Sequence, residues 1–413
     1  AQAVLAQGAA KPPISSAKAE ADRPTSEPAA MRIAMFSWES LHSVSLGGIA
    51  QHVTELAAAV QRRGHEVHVF TRRAEGQSHV EEIYGVTYHR VDCLPSEDFV
   101  ASMAEMCNAM AWAFGETQSR VGAFNVCHAH DWMTCKALVQ CKNSHGLPCI
   151  FTFHSTESGR SGGHGQDSVR ALEGEAAFVA DRIVAVSERL CGEITEIYSL
   201  PGPKVWTIPN GIQCARFDGF LDPGEVKAKY GIGALDPMLL FVGRMVGGMK
   251  GADILAEAVP GILAAHGQAK IVFVGDGDSK MHCDHRAKEL GVSHACFFLG
   301  SKSGSELVDL FKACDCVIVP SRNEPFGLVV LEAWAAGKPV VASDQVGCPV
   351  AHGHDGWVVS CTPEGLAWGV SQVFQDFGRA REMGAKGRVR AAFEFSWDVV
   401  AEATEKCYSS FVN

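Results

Sequence analysis

The chain of 413 residues is longer than one ordinary domain, because domains average roughly 100–200 residues. Its composition, 47% hydrophobic and 20% charged, excludes an intrinsically disordered polymer. The formal net charge of −11 disfavours a general surface for nucleic acid or anionic membranes. The sequence also has no apolar run of about eighteen residues, so no transmembrane helix is predicted.

The amino terminus and the cysteines bear on location. Residues 1–30 are rich in Ala, Pro and Ser and are predicted to form a flexible tail. The fifteen cysteines form no Cys-x-x-Cys pair, which indicates free thiols in a reducing compartment. We therefore expect a cytoplasmic protein, or one of the plastid stroma if residues 1–30 are the remnant of a targeting extension.

Strands and helices alternate from Met31 onward. A helix with Ile49, Val53, Leu56 and Val60 on one face follows the first strand. Apolar runs predict strands at 31–36, 66–72, 86–92, 124–129, 148–154, 182–186 and 204–208. This alternation is typical of a parallel sheet covered by helices on both faces.

The same pattern restarts about 205 residues later, with strands predicted at 238–243 and 270–275. The fold class is therefore α/β, with two doubly wound, Rossmann-like domains. The predicted domains span 31–215 and 216–395, followed by an amphipathic helix in the segment 396–413.

Glycine-rich loops follow the first strand of each half. Gly47 and Gly48 open a helix, where backbone N–H groups and the helix dipole favour an anion, although a plain tight turn explains them as well. In the second half Arg244 and Lys250 lie in the loop 243–251. Two cations there suggest diphosphate binding, and a solvated surface pair is the alternative.

The segment 318–342 is the most informative. Glu324 precedes a helix predicted from Pro325-Phe326-Gly327 to Gly337, and Glu332 lies within its apolar sequence. A carboxylate in such surroundings is costly without a partner. Glu332 is therefore predicted to accept hydrogen bonds from sugar or ribose hydroxyls, with a buried salt bridge as the alternative.

Histidines end two strands of the first half, in the sequences CHAHDW (127–132) and FTFH (151–154). They are predicted to face substrate at the carboxyl-end cleft. A metal is disfavoured because no recognised ligand pattern is present, and for His128 and His130 a satisfied position in the core is the alternative.

Together these motifs resemble the retaining GT-B glycosyltransferases of the group that includes glycogen/starch synthases and sucrose synthases (glycosyltransferase family 4 type). The resemblance covers about residues 31–413. It rests on SLGGI, CHAHDW, FTFH, AFVADRIVAVS, IPNGI, FVGRMV..MKGAD, VFVGDGD, CDCVIVPSRNEPFGLVVLEAWAAGKPVVAS and FSWDVVA. It implies two domains facing across a cleft. The amino-terminal domain would bind the acceptor, the carboxyl-terminal domain the nucleotide-sugar donor, and the last helix would pack back on the first domain.

The resemblance also implies residue roles. On the donor side Arg244 and Lys250 would grip the diphosphate, and Glu332 would bind the ribose. Glu324, with the backbone at Phe326, Gly327 and Leu328, would hold the transferred sugar and phosphate. Ser301, in the loop 300–303, would lie against the base.

On the other side of the cleft, Gly47 and Gly48 would close over the phosphates. His154 would contact the sugar near the reacting centre, and Asp131 would lie on the acceptor side. The sequence departs from the family pattern at 345–353, which is about two residues shorter than usual and lacks the acidic residue often found there.

The implied reaction is hexosyl transfer with retention of configuration, without a metal or other cofactor, because Arg244, Lys250 and helix termini can stabilise the leaving diphosphate. The resemblance favours glucosyl transfer from a nucleotide-diphosphate sugar to a carbohydrate acceptor such as an α-glucan. A mannosyl- or glucosyltransferase acting on a lipid, inositol or small-sugar acceptor, a GT-B epimerase or phosphorylase, and a catalytically weak carbohydrate-binding scaffold stay open. Donor base, linkage and oligomeric state are left undetermined.

Overall fold

The computed structural model of the protein describes residues 30–93 and 96–410, so the predicted tail lies outside the described residues except for Ala30. Within these ranges the chain forms an α/β structure with two largely parallel sheets. None of the helices in the described ranges combines the length and apolar character needed to cross a bilayer.

The first sheet is built from the amino-terminal half. Its strands are β1 Arg32–Phe36, β2 Glu66–Arg72, β3 Val80–Ile83, β4 Val86–Val91, β5 Val126–His130, β6 Cys149–Phe153, β7 Arg182–Ala185 and β8 Val205–Thr207. They lie in the order β3-β4-β2-β1-β5-β6-β7-β8. All neighbours pair in parallel except β3 and β4, which are antiparallel. The helices of this half are α1 Gly48–Arg62, α2 Phe99–Val121, α3 Cys135–His145, α4 Glu157–Arg160, α5 Asp167–Val179 and α6 Glu188–Tyr198.

The second sheet is parallel throughout its described strands. These are β9 Met238–Val242, β10 Lys270–Val274, β11 Cys296–Phe298, β12 Cys316–Val319, β13 Val340–Ser343 and β14 Gly356–Val359, in the order β11-β10-β9-β12-β13-β14. The helices are α7 Pro223–Lys229, α8 Ala252–Ala265, α9 Asp278–Glu289, α10 Gly304–Ala313, α11 Leu328–Ala335, α12 Pro363–Gln375, α13 Phe377–Glu394 and α14 Trp397–Ser409.

The strands form where the sequence is continuously apolar, because helices cover both faces of each sheet. In β9, for example, Met238, Leu239 and Leu240 are fully buried. Aromatic pairs fill the layer between sheet and helices, such as the stacked rings of Phe36 and Phe70, whose centroids are 5.1 Å apart. The two doubly wound domains predicted from the sequence are thereby confirmed.

Each sheet has a topological switch point, where successive connections run to opposite sides. In the first sheet it lies between β1 and β5, and in the second between β9 and β12. Loops leaving the carboxyl ends of these strands diverge and open a crevice, which is where ligands bind in open α/β sheets. The loops at which a ligand is expected are therefore 37–47, 131–134, 243–251 and 320–327.

The last helix, α14, packs against α1 of the first half. Glu405 is 4% exposed and accepts hydrogen bonds from Arg63 and from His65, the latter at 2.8 Å. Tyr408 is buried and shares a 2.8 Å hydrogen bond with His128. The carboxyl-terminal segment is thus part of the structure around the first sheet, as its amphipathic sequence and the resemblance suggest.

Candidate active site

The switch point of the second sheet carries a pair of opposite charges. Lys250, at the end of the loop after β9, donates a 2.5 Å hydrogen bond to the carboxylate of Glu324, which follows β12. Arg244, at the start of the same loop, is exposed and makes no ion pair with any residue in the described ranges. Lys250 and Glu324 therefore meet at the carboxyl ends of β9 and β12, and Arg244 is an exposed cation of the same loop as Lys250.

The loop that carries both cations is fixed by close backbone packing. Arg322 donates to the carbonyl of Gly248 at 2.5 Å and forms a two-point ion pair with Asp253 at the start of α8. Gly251 has a φ of +71°, and a Cβ at this position would lie 1.9 Å from the carbonyl oxygen of Pro320. Glycine is required there because the loop runs directly against the segment that follows β12.

The turn into α11 is equally close. Gly327 precedes the helix with a φ of +103°, and Leu328 is its first residue. Phe326 is 2% exposed, and its carbonyl accepts a 2.6 Å hydrogen bond from the amide of Cys348. The short segment 345–353 thus pairs with the backbone before α11 and holds that helix amino terminus toward the crevice. The helix itself is shorter than the predicted span to Gly337.

Glu332 lies on the second turn of α11 and is partly buried. Burial raises the pKa of its carboxyl to about 7, and the positive charge of Arg216 opposes that rise. Within the described residues, the carboxylate of Glu332 has neither a hydrogen bond nor an ion pair. The structure therefore does not contain the buried salt bridge that was the alternative interpretation of Glu332. A partly buried carboxylate without a protein partner is suited to accept hydrogen bonds from a ligand.

Ser301 is exposed in the loop after β11, at the carboxyl edge of the second sheet. The preceding residue, Gly300, accepts a 2.9 Å hydrogen bond from the amide of Gly275 and so joins this loop to the one after β10. The loop therefore lies at the same edge of the sheet as Arg244, two strands away from β9.

The loop that contains Gly47 and Gly48 differs from the prediction that its backbone amides bind an anion. The carboxylate of Glu39, which is 1% exposed, accepts hydrogen bonds from the amides of Leu46 and Gly47 at 2.6 and 2.9 Å. The amide of Gly47 is therefore occupied by the protein itself. Gly48 faces the other domain, because a Cβ added to it would lie 2.8 Å from Leu328 Cδ1.

Asp131 follows β5 with an unusual backbone conformation, a φ of +65°, which is rare for a non-glycine residue and is often found at functional sites. Its carboxylate accepts a 2.7 Å hydrogen bond from the amide of Trp132 and lies 3.5 Å from Arg160. Burial raises the pKa of this carboxyl, and Arg160 partly counteracts the rise. Arg160 also pairs with the buried carboxylate of Glu173.

His154 follows β6 and is one of four histidines that lie together. Its Nε2 is 3.3 Å from Nδ1 of His130, and its ring is 4.6 Å from that of His52, centroid to centroid. Burial lowers the pKa of His154 to about 3, so the imidazole is neutral at ordinary pH. His128 is a satisfied core residue, as one of the two interpretations held, because hydroxyls of Thr152 and Tyr408 bind both its nitrogens.

Direct contacts join the two sheets' domains around this crevice. Ser187, which begins α6, donates a 2.5 Å hydrogen bond to the carbonyl of Pro325. Asn323 donates to the carbonyl of Gly159 at 3.1 Å. His154, Gly48 and Asp131 therefore lie on the first domain's side of these contacts, and Glu324, Lys250 and the start of α11 lie on the second domain's side.

Sequence reasoning missed Glu39, His52 and Asn210. His52 lies on α1 beside the apolar stripe that predicted the helix, and a lone histidine on such a face was the available signal. Asn210, in the IPNGI sequence, binds Nδ1 of His52 at 2.7 Å. Nothing local distinguishes Glu39 in the sequence, because its role depends on where the loop after β1 turns back.

Comparison with known proteins agrees with this architecture. Residues 224–390 match the family model described as glycosyl transferases group 1, and residues 46–216 match that of glycosyltransferase family 4. The chain is 37% identical, over 388 residues, to an uncharacterized glycosyltransferase of Methanocaldococcus jannaschii, with 92% of this chain and 98% of that protein covered. The chain belongs to the family 4 glycosyltransferases.

Two further relatives of this glycosyltransferase have more specific names. It is 32% identical to a glycogen synthase of Mycobacterium tuberculosis, with 92% of this chain and 94% of the relative covered. It is 28% identical to a D-inositol 3-phosphate glycosyltransferase of Segniliparus rotundus, with 93% and 90% covered. Both matches therefore extend over both domains.

Solved structures show the same fold. The sucrose-phosphate synthase of Thermosynechococcus elongatus superposes with a TM-score of 0.78 at 21% identity, over 92% of this glycosyltransferase and 98% of that chain. The catalytic domain of starch synthase IV from Arabidopsis thaliana, bound to ADP and acarbose, gives a TM-score of 0.73 at 15% identity, over 93% and 100%. The predicted GT-B fold is confirmed.

Proposed function

We propose that this glycosyltransferase moves a glucosyl group, with retention of configuration, from a nucleotide-diphosphate sugar to an α-glucan acceptor. One observation carries the proposal. At the switch point of the second sheet, the Lys250–Glu324 pair lies just before the amino terminus of α11, and the unpaired Arg244 belongs to the same loop as Lys250. Cations and helix amides at such a crevice are what a leaving nucleoside diphosphate requires.

The two cations, Arg244 and Lys250, would have different roles. Arg244, which has no protein partner in the described ranges, would bind the diphosphate, and Lys250 would stabilise the negative charge that develops as the sugar–phosphate bond breaks. These cations let the chemistry proceed without a metal. Glu324 is held by Lys250 at 2.5 Å, which favours a role in positioning the sugar over one as a nucleophile.

His154 would meet the transferred sugar from the first domain. Because its pKa is about 3, it stays neutral and can donate or accept a hydrogen bond at a sugar hydroxyl. Asp131 and the short helix α4, which carries Arg160, follow the ends of the neighbouring strands β5 and β6, so they would border the acceptor. Glu332 would accept the ribose hydroxyls, and Ser301 and its loop would lie against the base.

The choice of an α-glucan is supported by the glycogen synthase among the relatives, whose match covers both domains. The inositol phosphate glycosyltransferase supports a second candidate, transfer to an inositol-type acceptor. An assay with radiolabelled UDP-, ADP- and GDP-glucose and GDP-mannose, each offered with glycogen or with inositol 3-phosphate, separates them. We expect label in glycogen from one glucose donor. Label only in the inositol product would support the second candidate.

The same assay, run with chelator present, also tests the absence of a metal requirement. Loss of transfer in the chelator, restored by added divalent metal, would contradict that part of the proposal. Retained glucan binding without transfer or donor hydrolysis for every sugar nucleotide would instead favour the scaffold alternative.

A further inference from the structure

His52, His130 and His154 converge from three elements of the first domain, α1, the end of β5 and the end of β6. One ring nitrogen from each lies within 4.8 Å of the other two. His52 and His130 are buried and His154 is partly exposed. The cluster therefore has a dry interior and an opening on the side of His154.

One pair of nitrogens in the cluster has the spacing of two ligands on one ion. Nδ1 of His130 and Nε2 of His154 are 3.3 Å apart. Two imidazoles at a Zn–N distance of about 2.0–2.1 Å in tetrahedral geometry stand about 3.4 Å apart, which is close to the separation of this pair.

The third histidine is oriented by a neighbour. Nδ1 of His52 is 2.7 Å from Oδ1 of Asn210. Since an amide oxygen only accepts, Nδ1 carries the proton and Nε2 presents a lone pair. Metal-binding histidines are commonly fixed in this way by a hydrogen bond to their other ring nitrogen.

One buried ring nitrogen of the cluster also lacks a hydrogen-bond partner among the described residues. Nε2 of His130 is buried and has no hydrogen-bond partner among the residues that the structure describes. The adjacent His128, in contrast, has a hydroxyl partner on each nitrogen.

We propose that His52, His130 and His154 form a three-histidine site for a transition metal of the Zn²⁺ class, with the fourth position open toward the crevice. Imidazole ligands select Zn²⁺, Ni²⁺, Cu²⁺ and Co²⁺, and not Mg²⁺ or Ca²⁺, which prefer oxygen. This proposal does not rest on the proposed function, although both use His154. Under that function, a bound ion would occupy His154 and inhibit transfer, while catalysis itself would use no metal.

Binding is measured on the full chain with Co²⁺ as the probe, because its visible absorption reports low coordination number. We expect one equivalent of Co²⁺, displaced by Zn²⁺ and untouched by excess Mg²⁺. His154→Ala and His52→Leu should lose stoichiometric binding, and Asn210→Ala should weaken it about 10- to 100-fold. His285→Ala, which removes an exposed histidine of α9, is the matched control and should bind normally.

X-ray absorption of the Zn²⁺ complex of the wild-type chain keeps the test independent of how the variants fold. Three imidazole ligands are expected. A zinc shell without imidazoles, or Co²⁺ binding that survives His154→Ala, would overturn the site. Loss of transfer activity plays no part in either measurement, so a failure of the proposed function cannot be mistaken for a failure of this one.

Discussion

Glu332 shows how a single carboxyl can be stable in the fold and still serve a ligand. Its pKa of about 7 lies above the ordinary value of 4.5, so the native state binds more protons than the unfolded chain between those limits. The free energy of unfolding should therefore decrease as pH rises through that window. Arg216 offsets only part of this rise, and within the described residues the carboxylate has no hydrogen-bond partner, which is consistent with the proposed ribose contact.

We therefore expect donor affinity to decrease as pH falls below about 7, by at most about tenfold per pH unit, since ribose hydroxyls bind the ionised carboxylate better. The measurement is calorimetric titration with the active sugar nucleotide, whose diphosphate stays ionised throughout. Glu332→Gln should bind about 10- to 100-fold more weakly, without this pH dependence. An unchanged affinity in the variant would remove the ribose role.

Arg244 has no protein partner in the described ranges, so its removal should affect the ligand alone. We expect Arg244→Ala to lower kcat/KM by about 10²–10³-fold while leaving Tm unchanged, because one donor to the leaving group is lost. Arg381 on α13 is likewise exposed and without an ion pair in the described ranges, so Arg381→Ala is the control. Equal activity of the two variants would argue against a diphosphate at this loop.

The loop 243–251, which carries Arg244 and Lys250, depends on its close packing against the segment that follows β12. In both Gly247 and Gly251 φ is positive, which costs about 1–2 kcal/mol when a side chain is added. Only at Gly251 would a Cβ also collide with a backbone carbonyl, at 1.9 Å, whereas at Gly247 nothing lies within 4 Å. Gly251→Ala should thus lower stability and activity more than Gly247→Ala in urea unfolding and transfer assays. Similar losses would mean that the loop tolerates displacement.

The contribution of helix α14 to the stability of the first domain can be tested through two of its glutamates. Glu405 is buried against Arg63 and His65, whereas Glu402 on the same helix makes an exposed pair with Lys406. Breaking the buried pair should cost about 3–5 kcal/mol, and breaking the exposed pair should cost far less. Chemical unfolding of Glu405→Ala and Glu402→Ala measures the difference. If the two variants unfold alike, α14 contributes little to the first domain.

Most strands of the first sheet and the first two strands of the second were predicted from the sequence, whereas β11 to β14 were not. Strands such as β1 and β9 are apolar runs bounded by glycine or polar residues, and the repeated pattern predicts two domains. The strand β3 was not predicted, because its VEEI sequence lies exposed at the sheet edge and lacks an apolar run. Its pairing with β4 is a consequence of the tertiary fold.

A single stretch of sequence was enough to propose Glu324, Gly327 and Glu332 as site residues, but not to predict what they contact elsewhere in the chain. The pairing of Lys250 with Glu324 joins residues 74 positions apart, and that of His52 with Asn210 joins residues 158 apart. Such contacts depend on how parallel strands are ordered in the sheets, which periodicity does not specify. For the same reason, the occupation of the Gly47 amide by Glu39 could not be anticipated.

At the scale of the whole molecule, two sheets present their switch points to one crevice, and the glycosyltransferase family assignment agrees with that arrangement. Contacts such as Ser187 with Pro325, and Gly48 against Leu328, hold the two sides together. A sugar nucleotide bound to the second domain would then present its sugar to His154 of the first.

Proton NMR of a single reaction is the most direct test of glucosyl transfer with retention, because it follows donor consumption and the anomeric configuration of the product together. With glycogen and UDP- or ADP-glucose, we predict that the donor signal decays while a new α-glucosidic signal appears. A β-linked product, or the absence of any transfer to carbohydrate from every sugar nucleotide tested, would contradict it.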